Sequence, residues 1–159
     1  MDYLELKDRL KKAKAEVDKL ERLLKVTYPT PEQAQPGDKL VDGSVVIERY
    51  PKTIFYNERL LVAAPMETEE FCRWIPEFQP VFDKLKEKGF NPSGWFIPSV
   101  EQLKLAYKNA KQHFPTWWHW SSTEASSNTA CIVTFCDGSQ YAVNKTNTIC
   151  VRAFRFIEL

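Results

Sequence analysis

The sequence predicts an α+β protein, with an antiparallel sheet, two helices and long loops, preceded by an N-terminal helix of the coiled-coil type. Three observations carry that prediction. Hydrophobic residues repeat in strict 3-4 alternation over residues 1–26. Short β-branched runs bounded by turn residues follow. After two helical segments the pattern changes to period two. At 159 residues and 43% hydrophobic content, the chain can bury a core without disulfide or metal staples. It is too apolar to be disordered over most of its length.

The first element is the clearest. Tyr3, Leu10, Val17 and Leu24 occupy one seam position and Leu6, Ala13 and Leu20 the other. Charged residues fill most of the remainder, and no Gly or Pro precedes Pro29. An isolated helix of this length is marginal in water, so its stripe needs a partner. The 3.5-residue period favours another chain over the protein's own domain. Leu6, Leu10, Ala13, Val17, Leu20 and Leu24 are therefore the candidate contacts of a homo-oligomer. In a parallel pair the flanking positions set Arg9 against Lys14 and Glu16 against Glu21. Each like-charged pair opposes that arrangement by a few tenths of a kcal/mol. Antiparallel pairing and docking on the domain stay open.

Residues 27–38 hold three prolines and a glycine and read as a linker. The domain then spans residues 39–159. Val45-Val46-Ile47 predicts a strand after the Asp42-Gly43 turn. Ile54–Tyr56 and Leu60–Ala64 predict a hairpin around Asn57-Glu58-Arg59. A helix is expected from Pro80 to Lys88, stopped by Gly89. Another begins after Ser99, with Gln102 completing a capping box. Residues 131–135 alternate as a strand, Asp137-Gly138 turns the chain into Gln140–Val143, and a last strand is expected from Cys150 to Ile157.

Composition narrows the partners. The chain has 22 basic and 21 acidic residues and a formal charge of +1, which gives no reason to expect nucleic acid or a membrane surface. No apolar run approaches a membrane span. The charged N-terminus does not read as a secretory signal, so synthesis in the cytoplasm is expected, with either a virion or a host cytoplasm as destination. Cys72, Cys131, Cys136 and Cys150 lack CxxC spacing and read as reduced, mostly buried thiols.

Four stretches then resemble a known family in their order: Phe55–Pro65, Gly94–Leu103, Trp120–Glu124 and Val151–Arg155. Together they are similar to the C-terminal domain of bacterial collagen-like adhesins. That family belongs to the C-type-lectin-like group, which includes formylglycine-generating-enzyme-like folds and phage receptor-binding domains. The resemblance covers residues 38–159 and implies a C-type-lectin-like fold. It also implies a bacterial or phage origin and a ligand face built from irregular chain before the last strands. Phe96 departs from the pattern, which usually has Arg after the Trp. Physically, Gly94, Trp95 and Pro98 make a strand-to-helix corner that Ser99 caps. Trp120 is assigned to the core. Glu124 and Arg152 are expected to form a buried structural ion pair, because a charge drawn into a core must be matched.

No catalytic, metal or cofactor site is predicted. His113 and His119 lack HxxH, HxH or HExxH spacing and read as loop or surface histidines. Calcium-lectin motifs are missing. Cys131 and Cys136 are five apart on a strand, so they face opposite sides; Cys150 could pair with either, although alternation places each within an apolar run. What remains resembles a binding surface: Trp117, Trp118 and His119 beside Ser126, Asn128, Lys145 and Asn147 in small polar loops. The expected function is a non-enzymatic, adhesin- or receptor-binding-type module displayed by an oligomerising helix, with a protein or glycan ligand. The second reading is a phage or mobile-element protein that binds and blocks a host protein.

Overall fold

The computed structural model describes residues 1–159, apart from the side chains of residues 25 and 26. Helix α1 spans Tyr3–Thr27. Asp2 caps it, accepting from the Glu5 N–H at 2.8 Å while the Glu5 carboxylate accepts from the Asp2 N–H, a reciprocal box that satisfies two orphan donors. Residues 1–24 are all exposed, seam included. The apolar stripe therefore finds no partner within the chain along most of the helix.

The chain leaving α1 is held against the domain. Ala34 is fully buried. Arg49 donates to the Ala34 carbonyl at 2.9 Å and the Glu32 carbonyl at 3.0 Å, and its Nε reaches Glu58 at 2.7 Å. The Gly37 N–H donates to the Val46 carbonyl at 2.8 Å. Prolines set the path, and an arginine on the first strand fixes it.

Eight strands form two open sheets. Strands β1 (Val45–Tyr50), β2 (Arg59–Ala63) and β8 (Phe154–Glu158) make an antiparallel sheet in the order β1-β2-β8. The second sheet has the order β3-β7-β4-β5-β6, from β3 (Glu70–Cys72), β4 (Trp118–Glu124), β5 (Thr129–Thr134), β6 (Gln140–Asn144) and β7 (Ile149–Val151). It is mixed rather than purely antiparallel, because β4 and β7 run parallel with His119 opposite Cys150. Helices α2 (Gln79–Glu87) and α3 (Val100–Ala110) lie between the two groups of strands in the chain.

Two expected strands change. Ile54–Tyr56 is an exposed loop, because the Thr53 hydroxyl accepts the N–H groups of Phe55 and Tyr56 and curls the chain locally. Strands β1 and β2 do pair, but across residues 51–58 instead of a three-residue turn. The last expected strand divides into β7 and β8, which belong to different sheets. Arg152 and Ala153 bridge them.

The middle of the five-stranded sheet, at β5, is covered on both faces. Ala130 and Ile132 join a core with Trp74, Trp95, Trp120, Val81 and Leu85. Cys131 and Val133 face a second core with Leu103, Ala106, Phe114 and Phe154. Strand β5 is thus apolar at consecutive positions because alternation sends its side chains into two dry layers. Helix α3 starts as its sequence dictates: Ser99 Oγ accepts from the Gln102 N–H, and Gln102 returns the bond to the Ser99 N–H. Val100, Leu103, Ala106 and Ala110 form its buried face. Trp95 and Trp120 are both core residues, at 6% and 0% exposure.

Candidate functional site

The candidate ligand residues separate into two groups at opposite ends of β4. At its start, Trp117 and Trp118 are 51% and 47% exposed. Two further rings join them. Phe71 on β3 is 48% exposed and packs against Trp117 with ring centroids 5.1 Å apart. Tyr141 on β6 is 50% exposed and stacks on Trp118 at 6.4 Å. Alternation along β4 sends Trp117 toward one face of the sheet and Trp118 toward the other. Two touching aromatic pairs therefore bracket one end of the sheet. Phe71 was not legible as a site residue because a three-residue strand shows no period. Tyr141 lay in a recognised strand, but nothing local marks which face is open.

Ser126, Asn128, Lys145 and Asn147 lie at the other end, roughly 20 Å away at ~3.3 Å per strand residue. Their polar groups are largely engaged with each other. Lys145 Nζ donates to Glu124 at 2.8 Å and to the Ser127 carbonyl at 3.1 Å, and sits 4.4 Å from the Trp74 ring centroid. The Lys145 N–H donates to the Asn128 carbonyl, Ser126 Oγ reaches Asn128 Oδ1, and Asn147 Nδ2 donates to the Asn144 carbonyl. These contacts brace the two loops.

Three expectations are corrected here. His119 is not a surface ligand residue: it is fully buried, with its ring 4.7 Å from that of Phe135. Glu124 does not pair with Arg152. It pairs with Lys145, while Arg152 is neutralised by Glu69, whose carboxylate lies 3.3 Å from the guanidinium. Glu124 follows a register shift in β4 that leaves it at the exposed end, whereas Arg152 lies between the sheets. Cys136, expected on a strand, falls in the turn after β5 and is exposed. His113 is half-buried, with Nε2 2.8 Å from the Gly37 carbonyl oxygen.

The corrected pair belongs to a buried polar cluster that sequence reasoning missed. Glu69 accepts from Arg152 Nη1 and from the Cys150 thiol, each at 3.3 Å, and His119 Nε2 lies 3.5 Å from the same carboxylate. Arg152 also donates to the Ala64 and His113 carbonyls and lies over the Phe114 ring. On its other side, His119 Nδ1 lies 3.1 Å from the Trp117 carbonyl oxygen. One donor atom each from Glu69, His119 and Cys150 falls within 4.8 Å of the others, a donor set that zinc also takes.

No family model matches the chain, and no curated protein matches it. A cysteine nucleophile acts as thiolate. Burial, followed by the Glu69 carboxylate, pushes the Cys150 thiol far above its ordinary value. Cys72 is pushed up to about 11 by burial and then Glu70. Burial draws the Arg152 pKa down, against the opposing pull of Glu69. The Glu69–Arg152 pair is already neutral, and Arg152 occupies the carboxylate oxygen nearest His119. This arrangement suits a structural clasp joining β7 to β4 and to the segment before β3. Among the described residues no helix is long and apolar enough to cross a membrane.

Proposed function

We propose that the protein is a non-enzymatic binding module, assembled into an oligomer by α1, whose ligand seat is the aromatic end of the five-stranded sheet. The observation that carries this reading is the grouping of Phe71, Trp117, Trp118 and Tyr141, each about half exposed and in touching pairs. Single exposed rings are ordinary on a protein surface. Two half-exposed aromatic pairs, one on either face at the same end of the sheet, have the composition of binding hot spots, where large rigid rings bury much area at small entropic cost. The ligand is a surface protein or glycan that presents an apolar face to these rings. Display by α1 multiplies a weak single contact into avidity.

The C-type-lectin-like reading of the domain is part of the same proposal. It is supported by the way the four sequence stretches meet. The Ala64 N–H donates to the Ala153 carbonyl, Phe96 and Phe154 exchange backbone bonds, and the Ser122 N–H donates to the Pro98 carbonyl. Each of the four stretches is thereby bonded to another of them.

The test is binding of the full chain to bacterial cells and to a glycan array. Trp117→Ala with Trp118→Ala is expected to weaken binding at least tenfold with an unchanged melting temperature, since both rings are half exposed. Asn128→Ala, at the far end of β4, is expected to leave binding intact. Binding that survives loss of both tryptophans, or that disappears with Asn128 alone, overturns this assignment.

A further inference from the structure

We infer that α1 pairs with the α1 of a second copy in antiparallel orientation, and that the partner's Tyr3 and Leu4 fill the groove at the base of the helix. This rests on the oligomeric display proposed above and specifies its geometry. The groove, of about 460 Å³, lies where α1 meets the domain, lined by Leu24, Tyr28, Pro29, Leu40, Val41 and Ile157. Leu24 is also the last seam residue of α1, so the seam and the groove are one continuous apolar surface. Its upper part is open: Leu6, Leu10, Val17 and Leu20 are each at least half exposed.

Size and charge select the orientation. An antiparallel register that sets Leu6 against the partner's Leu24 also sets Leu10 against Leu20 and Ala13 against Val17. Two-fold symmetry repeats each layer. Large residues meet large ones, and the small Ala13 meets a β-branched side chain near the centre. In this register Lys7 flanks the partner's Glu21 twice, while Lys14 and Glu16 each meet their own copy once, at the axis. A parallel pair instead repeats Arg9–Lys14 and Glu16–Glu21 twice each, offset only by Asp2–Lys7, whose carboxylate already caps the helix. The antiparallel pair therefore carries fewer like-charged contacts for a similar number of favourable ones.

The groove supplies the independent argument. The helix is about 37 Å long at ~1.5 Å per residue. A parallel partner would hold Tyr3 and Leu4, both more than 70% exposed, at the end far from either groove. The antiparallel partner brings Tyr3 opposite Thr27, beside Tyr28 and Val41. Glu21 on the same rim lies near the basic Lys7 of the incoming helix, while Asp42 is already paired with Arg155 at 3.6 Å.

The experiment combines sedimentation with cross-linking of the full chain, in a Cys136→Ser background that removes the exposed thiol. Lys14→Cys is expected to form a covalent dimer with a short bis-maleimide, because the symmetry axis passes beside residue 14. Tyr3→Cys is expected not to, because the two copies of residue 3 lie at opposite ends. Val41→Asp, at an exposed position that the fold tolerates, is expected to weaken dimerisation at least tenfold. A dimer cross-linked through Tyr3→Cys and not Lys14→Cys overturns the orientation but leaves oligomeric display standing. A dimer indifferent to Val41→Asp overturns occupancy of the groove. A monomer at every concentration overturns both this inference and the display it rests on.

Discussion

Glu69→Gln is the most informative single change in the domain. Arg152 is 1% exposed, and Glu69 is its only acidic partner among the described residues. Gln keeps the shape and one acceptor for Arg152 Nη1 but removes the counter-charge. Breaking a buried ion pair from one side costs about 3–5 kcal/mol, because the remaining charge stays buried without compensation. The retained acceptor and the Ala64 and His113 carbonyls place the expected loss near ~3 kcal/mol, the lower end of that range. For a domain of this size that lowers the melting temperature by roughly 6–12 °C, at about 2–4 °C per kcal/mol. Urea unfolding followed by tryptophan fluorescence reads it as a lower midpoint with unchanged slope. Arg152→Met should be comparably damaging, since it strands a carboxylate that is 6% exposed. The two changes together should lose at least about 2 kcal/mol less than their sum, because the double variant buries no unpaired charge. A Glu69→Gln loss below about 1 kcal/mol, or an additive cycle, would show that this charge is solvated and that the clasp argument is wrong.

Alkaline pH should destabilise the fold through the cysteines. The folded pKa of Cys72 is raised to about 11 from its ordinary 9.0, and that of Cys150 is raised further. Above pH 9 the unfolded thiols release protons that the folded ones retain, so stability falls as pH rises. The Cys72 share of the loss is complete near pH 11. Cys150→Ala should flatten the slope of unfolding free energy between pH 9 and 11, and an unchanged slope counts against burial of this thiol. Equilibration with Zn²⁺ should leave the melting temperature unmoved, because Glu69 is committed to Arg152. A concentration-dependent rise, expected of any ion that binds only the folded state, would reassign the cluster as a metal site. Gly138→Ala should lose about 1–3 kcal/mol through overpacking. Gly138 has φ +81°, and an added Cβ would sit 2.5 Å from the Tyr107 ring. Chemical denaturation checks this, and a stability equal to wild type refutes the close approach.

What could be read from sequence and what could not divides along physical lines. The Ser99 cap, the helical span of α1 and the 137–138 turn are local: each is settled by residues within a few positions, and the chain obeys them. The polar cluster is not local. Glu69 and Arg152 are 83 residues apart, and Cys150 and Glu69 are 81 apart. Several carboxylates satisfy the rule that a buried arginine needs one, and sequence alone does not separate Glu69 from Glu124. The same limit explains His119. Its neighbours Trp118 and Trp120 point to the face opposite its own, and the stretch reads as aromatic whether buried or open. Burial is decided by Phe114 and Phe135 covering that face and by Glu69 arriving from the segment before β3. Alternation along β4 specifies which side chains share a face. Only the layers brought against each face decide that Trp120 is dry, that Trp118 is open, and therefore that the two ends of one seven-residue strand can serve different purposes.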